Sequence, residues 1–333
     1  MTRLVQLQNG TQRRVALVEE PRLRLLNRFS SVFEMADACC SSGQKLGALV
    51  KAHVSDETLD YDSVYDGKSP WRLLVPIDHP VDASRCMISG TGLTHLGSAK
   101  NRDDMHVKSD AELTESMRMF RLGLEAGRPA PGKIGCDPEW FYKGNGNILR
   151  APGEPLDVPP YALDGGEEAE IVGIFLIDAA GNPHRIGMAL GNEFSDHKFE
   201  KLNYLNLAGS KNRTCSIGPE LMIDPEFQSI PGTVTIERAG KIFWSKEILT
   251  GEAEMCHSLA NIEHHHFKFE THRRPRDLHV HFYGACALSF GAGIELKDGD
   301  VMSVQFAGFG RALRNPVRIS KGSNSLVVVQ SLA

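Results

Sequence analysis

Two glutamates stand two positions apart at the start of an apolar run, in the segment LDGGEEAEIVGIF at 163–175. In a strand, residues i and i+2 point to the same side, so Glu168 and Glu170 would project together. Buried carboxylates at this spacing repel each other unless a cation lies between them, and oxygen ligands on a rigid strand suit Mg²⁺ or Mn²⁺. Taken alone, the spacing also fits an exposed strand end with solvated glutamates.

A third carboxylate follows at the end of the next predicted strand. The segment HRIGMALGNEFSDH at 184–197 is separated from AEIVGIFLID by the turn-forming stretch AAGNPH, so the two segments can pair as a hairpin. An antiparallel return brings Glu193 back beside the start of the first strand. The sequence therefore predicts a cation site formed by Glu168, Glu170 and Glu193.

Three other motifs resemble known cofactor or metal sites, but in each case a structural explanation is favoured over a binding site. The segment GTGLTHLG at 90–97 has His95 where a dinucleotide-binding fingerprint requires glycine, which argues against a nicotinamide cofactor. The three histidines at 264–266 would point in different directions on a helix, so a surface helix is favoured over a zinc site. His279 and His281 share a strand face, where a packed or hydrogen-bonded pair is favoured over a metal site without a third ligand.

Composition excludes several classes of protein. Of the 333 residues, 41% are hydrophobic and 24% are charged, which argues against disorder. The net charge of −5 comes without any block of like charges, so nucleic acid is not an expected partner. No stretch approaches the roughly 18 apolar residues of a membrane span, and the N-terminus lacks the apolar core of a signal peptide. Seven cysteines without a CxxC motif fit neither a disulfide framework nor a zinc finger, so we expect a cytoplasmic protein.

The predicted elements form two units. A small N-terminal α/β domain over 1–80 contains two short strands and a helical pattern at 29–54, and a proline-punctuated linker follows at 70–80. The remainder, 81–333, is rich in strands, and helical patterns are confined mainly to 110–127, with Asp110 as N-cap and Gly127 as its end, and to 250–268. This content predicts a β-rich α+β architecture and not a βαβ-wound sheet.

Several segments recur in an order typical of one family. They are MISGTGLTHLGSA, PEWFYKGNGNILRAPGEPLDVP, EEAEIVGIF, ALGNEFS, LAGSKNRTCSIGP and ELKDGDVMSVQFAGFGRALRNPV. Over roughly 85–318 the chain resembles the fumarylacetoacetate hydrolase (FAH) family, with its E-x-E strand, its "NDxSxRD" element, its lysine loop and its closing "GDxV" segment. Residues 1–80 lie outside the resemblance. The resemblance implies an FAH-type mixed β-sandwich or roll for the larger domain.

The family's functional residues fall on named positions here. The resemblance implies metal ligands at Glu168, Glu170 and Glu193, and a catalytic lysine at Lys211. It also implies substrate-binding side chains, which are Lys143, Ser195 and Thr214.

The chain also departs from the family pattern. The lid of carbon–carbon hydrolases carries a His–Glu pair that activates water, whereas here Ser98 stands at the histidine position and His95 at the preceding tyrosine. The sequence GAC at 284–286 replaces a family GTP turn, and His197 replaces the arginine of "NDxSxRD".

The shared family chemistry is enolate formation from a 2-oxo acid, stabilised by a divalent ion. Without the hydrolytic pair, and with a polar lid, the resemblance favours dehydration of a 2-keto-3-deoxy sugar acid (a pentonate) to a semialdehyde. The alternatives are a carbon–carbon hydrolase of a 2,4-dioxo acid, an enzyme that decarboxylates or isomerises its substrate, and a non-catalytic sugar-acid-binding protein. The resemblance also implies a homodimer or higher homo-oligomer.

Roles in the favoured reaction can be assigned to specific residues. Lys211 would remove the C3 proton if burial near the cation lowers its pKa. A lid residue would protonate the leaving hydroxyl, and the candidates are His95, Asp103, Asp104 and His106.

Overall fold

The computed structural model describes residues 1–97 and 114–332, and two β-sheets dominate these residues. Thirteen strands of the described chain form the larger sheet: β1 Thr2–Asn9, β2 Gln12–Glu19, β3 Arg22–Leu26, β4 Val54–Asp60, β5 Arg72–Leu73, β6 Cys86–Gly92, β7 Glu139–Asn145, β8 Leu149–Arg150, β10 Ala169–Ile177, β11 Pro183–Asn192, β12 Cys215–Ile217, β13 Leu221–Ile223 and β16 Leu278–Phe282. Five form the smaller sheet: β9 Leu156–Val158, β14 Ile230–Arg238, β15 Lys241–Thr250, β17 Val301–Phe306 and β18 Leu313–Ile319. The described α-helices are α1 Val32–Ser42, α2 Leu46–His53, α3 Tyr61–Tyr65, α4 Glu115–Ala126, α5 His197–Leu202, α6 Leu207–Lys211 and α7 Leu259–Phe267.

Both sheets mix parallel and antiparallel neighbours. The main path of the larger sheet is β4-β3-β2-β1-β13-β11-β10-β16-β6-β7, and the smaller sheet runs β15-β14-β17-β18-β9. Most pairs are antiparallel, but β6 lies parallel to β16 and β9 lies parallel to β18. This arrangement confirms the predicted strand-rich α+β class.

Strand β10 is buried at all nine of its positions, which explains why its sequence AEIVGIFLI is continuously apolar after Glu170. Val172 and Ile174 pack into one hydrophobic cluster, and Ala169 and Ile171 pack into another on the opposite face. The strand therefore divides two layers of the core. A rigid, fully covered strand of this kind gives the glutamates at its start a fixed position.

The three predicted helical segments contain helices with shorter bounds, whereas α3, α5 and α6 were not predicted. The segment 29–54 forms two helices, because Gly43 ends α1 in the left-handed conformation at φ 70°. Helix α4 ends at Gly127 as predicted and begins after Thr114, whose side chain accepts a hydrogen bond from the Met117 N–H, while the predicted cap Asp110 lies outside the described residues. Helix α7 begins only at Leu259, because the chain up to Thr250 belongs to β15. None of the described helices is long and apolar enough to cross a membrane.

The larger sheet runs across the domain boundary predicted at residue 80. Strand β1 pairs with β13, with Leu4 opposite Leu221, and Leu4 shares a hydrophobic cluster with Val172 of β10. Tyr61 also donates a 2.9 Å hydrogen bond to the buried Glu220. The N-terminal residues therefore extend the sheet that carries the glutamates, and an independently folding unit over 1–80 stays a prediction.

The histidines near the C-terminal end of α7 differ from the predicted surface helix. His265 and His266 are buried, and His266 lies between Trp140 of β7 and His279 of β16. Trp140 can only donate, so its 3.1 Å bond makes the His266 Nδ1 an acceptor, and the His266 Nε2–H then donates to the His279 Nδ1 at 3.0 Å. The His281 Nδ1 lies 2.9 Å from the Ser89 hydroxyl. These contacts form a packed, neutral histidine cluster made of His266, His279 and His281.

This cluster predicts a loss of stability in mild acid. Burial lowers the pKa of His279 and of His281 to about 3, and it lowers the pKa of His266 as well. The unfolded chain binds these protons from about pH 6.5 downwards, so stability is complete above that pH and falls as the pH drops toward the folded values. We expect each histidine to remove about 1.4 kcal/mol of unfolding free energy between pH 7.5 and 5.5.

Urea unfolding at the two pH values measures this loss. His281→Asn retains an acceptor near Ser89 and should show a smaller pH dependence than the parent. His264→Asn, at the exposed neighbour on the same helix, should match the parent. Equal pH dependence in all three proteins would contradict the assignment.

Candidate metal centre and active-site cavity

Three buried glutamates meet where the β10–β11 hairpin opens. Ligand oxygens of Glu168, Glu170 and Glu193 lie within 4.8 Å of one another, which makes them a set that could hold a metal ion. The hairpin register places Ala169 opposite Asn192, and the Glu193 N–H donates to the Glu168 carbonyl at 2.9 Å. The predicted hairpin and the predicted convergence of the three carboxylates are therefore confirmed.

Two lysines and a histidine surround two of these carboxylates. Lys211 Nζ donates to Glu168 Oε1 at 2.5 Å and to Glu193 Oε2 at 2.8 Å. Lys143 Nζ lies 2.5 Å from Glu193 Oε1, and His197 Nε2 lies 3.0 Å from Glu168 Oε1. In the described part of the chain no cationic side chain pairs with Glu170, whose Oε2 accepts the Gly284 N–H at 2.7 Å.

The pKa values of Glu170 and Glu168 reflect this uneven compensation. Burial, reinforced by the charges of Glu193 and Glu168, raises the pKa of Glu170 well above its ordinary value. Burial also acts to raise the pKa of Glu168, but Lys211 and His197 outweigh it and hold that pKa well below the ordinary value. Glu170 has no cationic partner among the described residues, and the three side chains offer only hard oxygen ligands. The site thus fits a divalent cation such as Mg²⁺.

Lys211 is an ammonium ion in this arrangement. Burial acts to lower its pKa, but the charges of Glu168 and Glu193 raise it well above the ordinary value. The lowered pKa that would make Lys211 a base is therefore not found among these contacts. Lys211 lies beside the proposed metal ligands, and its catalytic role stays a prediction.

The other predicted substrate-binding side chains are directed at protein atoms. The Lys143 Nζ donates to the backbone carbonyls of Glu193, Phe194 and Lys211 at 3.1, 2.7 and 2.9 Å. The Ser195 hydroxyl donates to the Glu193 carbonyl at 2.8 Å. The Thr214 hydroxyl accepts the Asp157 N–H at 2.9 Å. These three residues hold the backbone around the triad, and a direct contact with substrate stays a prediction.

Lys143 and Lys211 therefore contact the same carboxylate, that of Glu193, but have different roles. The variant Lys143→Met tests whether Lys143 has a structural role. The variant removes a buried ammonium from Glu193 Oε1 and from three buried carbonyls, and the Phe194 carbonyl at 2.7 Å is among them. We expect it to lose about 3–5 kcal/mol of unfolding free energy. Urea unfolding at pH 7.5 measures this, with the exposed Lys133→Met as the control. A loss below about 1 kcal/mol would contradict the assignment, since that is the range of an exposed pair.

A cavity opens beside the triad through Glu168 and Lys211. Its lining includes side chains of β7, α5 and the segments that follow α5 and β16, which are Glu139, His197, Lys198, Glu200, Lys201, Tyr204, Leu207, Ala285, Ala287, Leu288 and Phe290. Glu139 is buried and accepts a hydrogen bond from the Tyr204 hydroxyl. A carboxylate and an ammonium therefore face the same space, and a bound molecule there would lie between them.

Sequence reasoning did not identify Glu139, Tyr204 or Phe290 as site residues. The sequence did carry a signal for Glu139, because Glu139, Phe141 and Lys143 alternate along β7 and so share one face of the strand. In the structure all three are buried, whereas Tyr142 is exposed. His197 was noted only as a departure from a motif, yet it contacts Glu168 directly. Tyr204 and Phe290 lie in irregular segments that no periodicity marks.

Among the predicted lid acids, Asp103, Asp104 and His106 lie outside the described residues, as does Ser98. His95 is described and does not line the cavity. It forms an isolated β-bridge with Met255, and its Nε2 lies 3.1 Å from the Thr250 hydroxyl. Burial lowers the His95 pKa to about 4. Its backbone pairing thus directs this side chain into the protein interior, away from the expected acid position.

No protein-family model matches the chain, and no curated protein sequence matches it. Solved structures do match in fold. A hexagonal crystal form of 2-keto-3-deoxyarabinonate dehydratase matches with a TM-score of 0.71 at 17% identity, over 96% of this chain and 100% of that chain. The same values of coverage and identity, with a TM-score of 0.70, hold for 2-keto-3-deoxy-D-arabinonate dehydratase complexed with magnesium and 2,5-dioxopentanoate.

A 2-hydroxyhepta-2,4-diene-1,7-dioate isomerase from Mycobacterium marinum matches with a TM-score of 0.60 at 16% identity, over 97% of this chain and 100% of its own. At such identities the likeness establishes the fold. The chain thus has the fold of these enzymes along almost its whole length, including residues 1–80, which the sequence resemblance left out.

Proposed function

We propose that this protein is a Mg²⁺-dependent enzyme that acts on a 2-oxo acid, and that it dehydrates a 2-keto-3-deoxy sugar acid to a semialdehyde. The observation that carries the proposal is the buried triad of Glu168, Glu170 and Glu193 opening into a cavity beside Lys211. A structure with the same fold binds magnesium and 2,5-dioxopentanoate, which supports both the metal and the substrate class. Mn²⁺ satisfies the same oxygen ligands.

A divalent cation held by the three glutamates would supply the positive charge that stabilises the enolate oxygen of a 2-oxo acid. The Lys211 ammonium lies beside these ligands and would donate a hydrogen bond to the substrate carboxylate or 2-oxo oxygen. Both interactions strengthen as negative charge develops on the substrate, so they favour loss of the C3 proton.

Glu139 is the acid–base group that the cavity offers in place of Lys211. Its carboxylate is buried, faces the cavity and accepts a hydrogen bond from Tyr204, which keeps it oriented. In the proposed reaction it takes the C3 proton. The C4–O bond then breaks, and the proton leaves with the hydroxyl as water. The resulting C3–C4 double bond is lost by tautomerisation, in which a C5–H proton and the C5 hydroxyl proton are replaced by protons on C4 and C3, and this leaves the aldehyde at C5. No carbon–carbon bond breaks in this sequence.

Product analysis tests the proposal. The protein, stripped of metal with a chelator, is incubated with a 2-keto-3-deoxy-pentonate with and without Mg²⁺, and the products are identified by mass spectrometry. We expect a Mg²⁺-dependent product lighter by one water, with an aldehyde group. Pyruvate and a smaller acid from a 2,4-dioxo acid, without dehydration of any deoxy sugar acid, would establish a hydrolase. Binding without any turnover would indicate a sugar-acid-binding protein.

We also propose a homodimer or a higher homo-oligomer, as the family resemblance implies. Light scattering at micromolar concentration should give a mass of at least twice the 36.6 kDa of one chain. A monomer under these conditions would overturn this part of the proposal. A cytoplasmic location stays a prediction.

A further inference from the structure

Glu167, the residue before the first triad glutamate, is completely buried and turned toward a different partner from Glu168. Its Oε1 accepts the Ser289 N–H at 2.7 Å, and its Oε2 accepts the Ser289 hydroxyl, also at 2.7 Å. Within residues 1–97 and 114–332, Glu167 forms no ion pair. Ser289 thus satisfies both oxygens of a buried carboxylate, which is a costly group to leave without donors.

Ser289 belongs to a chain segment that forms one side of the cavity. This wall segment, 284–294, contributes Ala285, Ala287, Leu288 and Phe290 to the lining. Its first residue, Gly284, donates its N–H to Glu170 Oε2 at 2.7 Å. Glu170 of β10 and Glu167, which lies two residues before that strand, therefore hold the two halves of the wall segment. One of them belongs to the proposed metal site, and the other, Glu167, does not.

The wall segment faces a polar side of the cavity formed by α5 and the residues after it. The centroid of the Phe290 ring lies 5.2 Å from the centroid of the His197 ring and 5.8 Å from the Lys201 Nζ. The apolar wall of Leu288 and Phe290 therefore stands opposite lysine and tyrosine side chains. Ser289 lies between these two residues in the wall segment.

We propose that Glu167 and Ser289 form a specificity-determining positioning pair, which holds the wall segment at the distance required by the part of the substrate beyond C3. This inference rests on the proposed function, because it assigns the 2-oxo acid end of the substrate to the triad. It predicts that the pair governs recognition of a full-length sugar acid. The pair has no part in metal binding or in proton removal from a short 2-oxo acid that does not reach the wall.

The test compares a long and a short substrate. Ser289→Ala removes one of the two bonds to Glu167 and should raise the KM for a 2-keto-3-deoxy-pentonate about tenfold, with kcat within about threefold. Exchange of the methyl protons of pyruvate with deuterium, followed by NMR, should stay close to the parent rate. The Mg²⁺-induced rise in Tm should also be retained. Ser289→Thr keeps the hydroxyl and should restore the KM.

Three further variants separate positioning from general disturbance. Glu167→Gln should raise the KM as Ser289→Ala does, and the double variant should be no worse than either single one, since the residues act as a unit. Ser216→Ala removes a buried hydroxyl that donates to Asn315 elsewhere in the fold, and it should leave the KM unchanged.

An unchanged KM in Ser289→Ala, or a joint loss of kcat, pyruvate exchange and the Mg²⁺ response, would overturn the positioning role while leaving the proposed function intact. A parent protein without Mg²⁺-dependent exchange or turnover would overturn the proposed function and this inference with it.

Discussion

Replacing Glu170 with glutamine is expected to abolish turnover and, at the same time, to make the protein more stable in the absence of metal. The pKa of Glu170 is raised by burial and by two neighbouring carboxylates, so its ionised form destabilises the fold at neutral pH. Glutamine removes that charge and still offers an oxygen to the Gly284 N–H. Turnover should fall by at least about a thousandfold, because a ligand charge is lost from the site that stabilises the enolate.

Thermal unfolding with chelator and with Mg²⁺ measures both effects. The parent should gain several degrees in Tm when Mg²⁺ is about a hundredfold above its Kd, which corresponds to about 2.7 kcal/mol. Glu170→Gln should begin from a higher Tm in chelator and show no gain with Mg²⁺. Glu170→Asp is the matched control, because it keeps the charge and should lack the added stability. A glutamine variant that still responds to Mg²⁺ like the parent would remove Glu170 from the ligand set.

Replacing Lys211 with methionine is expected to separate catalysis from metal binding. The ammonium lies 2.5 Å from Glu168 and 2.8 Å from Glu193, where it can also reach a bound 2-oxo acid. Its removal should lower kcat about a hundredfold or more, since a charged donor to the developing oxyanion is lost. The triad then keeps all three carboxylates with one fewer compensating charge, so Mg²⁺ affinity should be retained or increased.

The measurement pairs kcat for the sugar acid with a Mg²⁺ titration followed by Tm. Lys143→Met is the informative comparison, because that lysine contacts Glu193 and three backbone carbonyls and does not line the cavity. Lys211→Met should lose activity with a strong Mg²⁺ response, whereas Lys143→Met should lose stability. A lost Mg²⁺ response in Lys211→Met would show that its main task is to organise the ligands.

The three proposed metal ligands could be predicted because their convergence is local. The i, i+2 spacing places Glu168 and Glu170 on one side of β10, and a single short turn returns Glu193 to them. Strand periodicity and turn residues are properties of a few consecutive residues, so the sequence alone is sufficient for them. The same holds for the α+β class and for the end of α4 at Gly127.

The role of each side chain around the proposed ligands could be assigned only from the folded structure. Lys143 and Lys211 both reach Glu193, but only the tertiary contacts show that the first holds carbonyl groups and that the second faces the cavity. The His95 side chain points to Thr250, 155 positions away, and the His266 ring meets Trp140, 126 positions away. No local pattern encodes such pairings, because they depend on which strands become neighbours.

By itself the sequence determined the strands, the order of the elements and the three carboxylates, since each follows from hydrogen-bonding period and turn chemistry over short distances. The tertiary structure alone decided that β1 joins the sheet of the glutamates, that Glu139 and Lys211 line one cavity and that Glu167 holds Ser289, 122 positions further along. Burial is the physical reason. A carboxylate or imidazole removed from water must find its partner within the fold, and the packing of the whole chain determines which partner is within reach.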